Sequence, residues 1–298
     1  MTGFRATLQQ EVLSARRERM PQVLLVVFLG MVSVSSLIGW LTHRTVTSVW
    51  ETTRAAGLTT APNPFAHAAS LSYVTNVVIY VILIGALLAI VLGVSSTLRS
   101  RKSRTTDLVL SRPVDVAVHL GAKLTGMAIW LATILTAAAV LTWASIALIA
   151  RAALGAGDTV RLASFFGLAW VFLLVFVVVG MLSGIHSRRE TSALLLPIVG
   201  WSVITFVLPQ LGTAALPVSL LNPVAAVPVQ GGAFALVQQI VGPLALGEQF
   251  KTLSGAALGT GGSSSLGLAA TAIVTALAAG LLVLLATKRD HLRRDLRD

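Results

Sequence analysis

The side chains able to carry covalent, metal or proton chemistry are few in this chain, and they do not converge. Cysteine is absent, which excludes disulfides, thiolate metal sites and cysteine nucleophiles. The five histidines, His43, His67, His119, His186 and His291, show no ligand spacing. No Gly-x4-Gly-Lys-Ser/Thr run occurs, so nucleotide cannot be held in the P-loop manner. The sequence therefore offers no catalytic residues and no metal site, and enzyme activity is not expected of it. Two patterned sets of polar residues remain. In otherwise apolar surroundings, Tyr73, Asn76 and Tyr80 recur at i, i+3 and i+7 and share a helix face, and Ser202 and Thr205 are three apart. Between Arg99 and Lys123 lies a charged stretch broken by Pro113.

The elements that must position these residues follow from composition. Of 298 residues, 55% are hydrophobic and 11% charged, against roughly a quarter charged in soluble domains. Six charge-free runs are long enough to cross a ~30 Å hydrocarbon core as helices: about 21–42, 73–98, 124–150, 162–184, 191–209 and 267–287. Segments such as Val171–Val179 are apolar on every side, unlike the one-sided helices of a soluble bundle. The expected fold is an all-α integral membrane protein with one transmembrane domain over 1–298. No Asp, Glu, Lys or Arg falls inside the six runs, which disfavours a self-sufficient ion-coupled carrier.

The net charge of +11 could suggest a nucleic-acid partner, but its distribution points to lipid instead. Of 22 Lys and Arg, 17 lie in the N-terminal segment, the 99–123 loop, the Arg188–Arg189 loop and the tail. The positive-inside rule then places both termini in the cytoplasm. Before the first span, Phe4, Leu8 and Val12 recur every four residues, which predicts an amphipathic helix on the inner membrane surface with Pro21 at the bend. The connection 210–266 is apolar and rich in proline, and is expected to be external and partly re-entrant. Gly180 and Gly184, and Ala272, Ala276 and Gly280, form small-residue rows suited to helix packing.

The 99–123 loop carries the most specific pattern. After the basic cluster, Thr105 and Thr106 are candidate N-caps, followed by Asp107, Leu108 and Leu110, then Ser111, Arg112, Pro113 and Val114, and then Leu120, Gly121, Ala122, Lys123 and Gly126. This order resembles the membrane subunits of ABC-2-type ATP-binding-cassette transporters, with Asp107 standing where many relatives have Glu. The resemblance implies that the loop is a coupling helix seated in a cytoplasmic ABC ATPase subunit. It implies that Arg188, Arg189 and Glu190 form a second, smaller contact. It also implies that spans 2 and 5 line a cleft between two permease protomers, so that Tyr73, Asn76, Tyr80, Ser202 and Thr205 lie on a substrate path. Leu221-Asn222-Pro223 resembles an Asn-Pro found before the last span of many relatives.

The expected function is the permease subunit of an exporter in the plasma (inner) membrane of a bacterium. It would hold no cofactor itself, with ATP and Mg bound by the partner ATPase, and a homologous or identical protomer would complete the dimer. A drug, a peptide antibiotic or a lipid-like molecule are the substrate classes the resemblance implies. Other readings stay open at this point: a non-transporting membrane scaffold or assembly factor, a transporter subunit for metalloenzyme maturation, or an enzyme acting on lipid.

Overall fold

The structure is a computed structural model that describes residues 2–15, 19–62, 71, 74–102, 116–150, 154–187, 189–213, 221–225, 232–260 and 266–286. Among these residues every regular element is helical and none is a strand. In chain order they are α1 (Thr2–Ala15), α2 (Arg19–Ala55), α3, α4 (Val116–Ala150), α5 (Ala156–His186), α6, α7 (Gly232–Val241), α8 (Leu246–Leu258) and α9 (Leu266–Leu285). The helix α3 runs through Val77–Tyr80, a π-helical turn at Val81–Gly85, and Ala86–Lys102; α6 runs through Glu190–Ser202, a π-helical turn at Val203–Val207, and Leu208–Thr213. Six of these helices, α2 to α6 and α9, are long and apolar enough to cross a membrane. The chain is thus an all-α protein with the build of a multi-pass membrane protein.

Four of the six helices, α2, α4, α5 and α6, are longer than the charge-free runs. At 1.5 Å per residue α2 is ~55 Å long and α4 ~52 Å, well beyond a ~30 Å core. The continuation of α2 to Ala55 has local causes. No proline or glycine interrupts residues 43–55, Thr52 and Thr53 donate to the carbonyls of Ser48 and Val49, and Arg44 and Arg54 lie over the Trp40 and Trp50 rings at 5.5 and 5.0 Å. The chain then doubles back, held by Trp50 Nε1 donating to the Ala61 carbonyl at 2.9 Å.

Two helices form the centre. The most apolar windows of α3 and α5 are 72% and 67% buried, whereas those of α2, α6 and α9 are 22% buried and face outward. Glycine explains how closely the central pair meets. A Cβ on Gly180 would lie 2.4 Å from the Ile90 carbonyl oxygen, one on Gly93 would lie 2.3 Å from that of Val177, and one on Gly184 would meet Thr97 Oγ1. From Gly85 beside Leu173 to Thr97 beside Gly184 the contacts advance along both helices, so α3 and α5 run in the same direction. The Gly180–Gly184 row therefore packs against α3, while Gly280 of the other small-residue row meets Val178 of α5.

Two packing facts bear on the site. The helix α1 packs against the first half of α4, where Gly126 receives Leu8 and Glu11. The expected surface helix is thus docked on protein, with Glu11 buried and Leu13 exposed. The helix α8 lies alongside the first half of α5: Phe250 stacks on Phe172 at 4.4 Å and approaches Phe165 at 6.1 Å, and Gly259, a left-handed cap at φ +73°, adjoins Arg161. Phe172 lies 11 residues beyond Arg161, or ~16 Å along α5. Within the 210–266 connection, α8 is therefore packed against the long helices.

Candidate functional site

Where α8 enters, it meets the π-helical turns of both α3 and α6. The turn of α6 has a traceable origin. Pro209 has no N–H, so it cannot bond the carbonyl four residues back, and the ladder before it widens into the turn Val203–Val207. In α3 the Ile82 carbonyl lies in the turn, and Trp201 of α6 donates its indole N–H to it at 3.0 Å. A related repair lies one turn earlier in α6. Pro197 leaves the Ala193 carbonyl without its usual donor, and the Ser183 hydroxyl of α5 supplies one at 2.8 Å. These cross-helix bonds lock α6 to α3 and α5 at two broken points in the helix ladder. π-Helical turns cluster at functional sites because they re-aim side chains.

Between the two turns and α8 is a cavity of about 10 Å³, room for about one water molecule. It is lined by Ile79, Ile82 and Leu83 of α3, Thr205 and Phe206 of α6, Leu221, and Gly247, Glu248 and Lys251 of α8. Lys251 is 4% exposed and its Nζ lies 2.7 Å from Glu248 Oε1, one helical turn away. Such a pair survives in apolar surroundings only when the two charges satisfy each other. Thr205 is buried beside this pair. Many hydroxyls on the long helices donate to their own backbone, as Ser36 and Thr142 do to Val32 and Ala138. The site thus presents one carboxylate, one ammonium and one hydroxyl within apolar walls.

Of the five expected path residues, Thr205 lines this cavity. Ser202 and Tyr80 are half-buried, Asn76 is exposed just before α3, and Tyr73 lies outside the described residues. The lining face of α3 is Ile79, Ile82 and Leu83, adjacent to the face that Asn76 and Tyr80 share. The reading of 210–266 as apolar and rich in proline passes over Glu248 and Lys251. Their signal was present: they are the only two charges in that stretch, at the i, i+3 spacing of a helical pair. In the Asn-Pro motif nearby, Asn222 Oδ1 accepts from the Val224 N–H at 3.1 Å and shapes a turn.

A second charged cluster flanks the 99–123 loop. Glu11 of α1 lies 3.5 Å from Arg99 Nη1 of α3 and 3.9 Å from Lys123 Nζ of α4, and Lys123 donates to the Ser96 carbonyl at 2.5 Å. Leu120 and Ala122, on the same turn of α4, are buried. Asp107, Leu108, Leu110, Ser111, Arg112, Pro113 and Val114 lie outside the described residues, as does Arg188. Arg189 is an exposed N-cap and Glu190 an exposed residue in the first turn of α6. Among the described residues no three His, Asp or Glu side chains converge as a metal site requires. No protein-family model matches the chain, and no curated protein matches it.

Proposed function

We propose that the chain is the permease subunit of an ABC-2-type ATP-binding-cassette exporter in a bacterial plasma membrane. A separate ATPase subunit binds ATP and Mg and seats the 103–115 connection, and a second permease protomer completes the pathway. The observation that carries this reading is the connection from α3 to α4. It holds Ser111, Arg112, Pro113 and Val114, and the Leu120–Gly126 part of the same pattern is packed at the start of a long apolar helix. A force applied to such a connection reaches two membrane spans directly, because α3 is one of the two central helices and α4 abuts the other.

The substrate path in this reading runs along α3 and α6, with α8 as a re-entrant helix from the external side. Thr205, Glu248 and Lys251 are the polar groups beside it, and a drug, peptide antibiotic or lipid-like molecule is the substrate class the resemblance implies. Affinity purification of the chain from native membranes tests the assignment. A co-purifying ATPase with a P-loop is expected, and its substrate-stimulated turnover is lost when Asp107 and Pro113 are both substituted while membrane insertion persists. A stable complex containing no nucleotide-binding chain would refute the permease assignment and favour a scaffold.

A further inference from the structure

Residues 103–115 join the end of α3 to the start of α4, and one buried carboxylate bridges those two helices, beside the direct bond from Lys123 to the Ser96 carbonyl. Glu11 is 4% exposed. Its two oxygens reach Arg99 of α3 and Lys123 of α4. Arg99 and Lys123 are like charges on two different helices, and the Glu11 carboxylate lies between them. Gly126, three residues beyond Lys123, admits α1: a Cβ there would lie 3.0 Å from Glu11 Cβ and 3.6 Å from Leu8 Cδ1. A helix resting on a bilayer would turn its acid toward water. Here the acid turns inward, onto both limbs of the connection.

We propose that Glu11 is a positioning residue that makes α1, the end of α3 and the start of α4 move as one body. A displacement of residues 103–115 then reaches both spans together rather than being absorbed by the limbs splaying apart. The proposal rests on the permease reading of that connection. Its chemistry is separate from ATP binding, since none of the three side chains belongs to the 103–115 segment itself.

The cysteine-free chain allows a direct test, because single cysteines can be introduced without a background. Nitroxides at Ser95 and Val118 report the spacing of the two limbs in the full chain reconstituted in lipid. The native protein is expected to give one narrow distance distribution. Glu11→Gln loses it, giving a broader and longer one, and Gly126→Val does the same by displacing α1 with every charge retained. Should Glu11→Gln fail to survive purification, Gly126→Val carries the measurement. In the complex with the ATPase, labels at Asn76 and Leu211 follow the nucleotide-driven motion of α3 and α6 on vanadate trapping. Glu11→Gln is expected to abolish that motion with KM for MgATP unchanged, which a merely destabilised subunit would not do selectively. An unchanged Ser95–Val118 distribution in both variants, or splayed limbs with the trapped motion retained, overturns the proposal and leaves the permease reading standing. An intact joint in a chain that recruits no ATPase overturns that reading instead.

Discussion

Substituting alanine for Gly93 or Gly180 tests the central crossing of α3 and α5. A Cβ at Gly93 would stand 2.3 Å from the Val177 carbonyl oxygen, 2.9 Å from the Met181 nitrogen and 3.1 Å from Gly180 Cα; one at Gly180 would stand 2.4 Å from the Ile90 carbonyl oxygen. All of these are backbone atoms of a facing helix, so no side chain can rotate away. An ordinary contact needs the helices ~1 Å further apart, a gap that forfeits a quarter to a half of the dispersion energy along the seam. Overpacking of this kind costs about 1–3 kcal/mol, and each kcal/mol lowers Tm by roughly 2–4 °C in chains of 150–250 residues. The assay is thermal unfolding of the detergent-purified protein, followed by tryptophan fluorescence. Gly167→Ala is the control: it has open space within 4 Å and gains up to ~1 kcal/mol of helix propensity. The double variant Gly93→Ala/Gly180→Ala should lose less than the two single losses combined, because one separation relieves both clashes. A Gly93→Ala Tm equal to or above that of Gly167→Ala would refute the close crossing.

The remaining expectations concern the inserted helix and the repaired ladders. Lys251→Met removes the buried ammonium beside the half-buried Glu248 and should destabilise by about 3–5 kcal/mol, whereas Lys251→Met with Glu248→Leu removes both charges and should restore most of that loss in thermal unfolding. Phe250→Ala removes the stack on Phe172 at a cost of ~3–5 kcal/mol; hydrogen exchange across 246–258 should accelerate, and unchanged protection there would contradict the insertion of α8 against α5. Ser183→Ala orphans the Ala193 carbonyl and Trp201→Phe orphans that of Ile82, each costing about 1–3 kcal/mol. Trp201→Phe retains an aromatic ring facing Phe206, so an unaltered Tm would place the indole N–H elsewhere.

Membrane-scale architecture was legible because it depends on bulk properties of short segments. The runs beginning near Pro21, Leu124 and Gly267 needed only length and lack of charge to declare helices, and the Gly180–Gly184 row declared a close helix contact. Helix ends were less legible, since α2 persists to Ala55 through hydroxyl and cation–π contacts that hydropathy does not register. The polar site was harder still. Thr205 stands out in sequence as a hydroxyl in an apolar run, but the α3 residues beside it are isoleucines and a leucine, indistinguishable in sequence from lipid-facing ones.

The sequence by itself determined that the chain is helical, apolar in six long segments, free of cysteine and lacking a P-loop, because each of these is a property of local composition. Tertiary structure decided what the few charges do. Glu11, in a segment whose pattern suits a membrane surface, is buried between Arg99 and Lys123, and Glu248 and Lys251, in a connection between helices, are held beside α3, α5 and α6. A charge is tolerated away from water only where a partner of opposite sign is brought to it. For Glu11 those partners lie 88 and 112 residues further along the chain, so only the packing of α1 against α3 and α4 could bring them together.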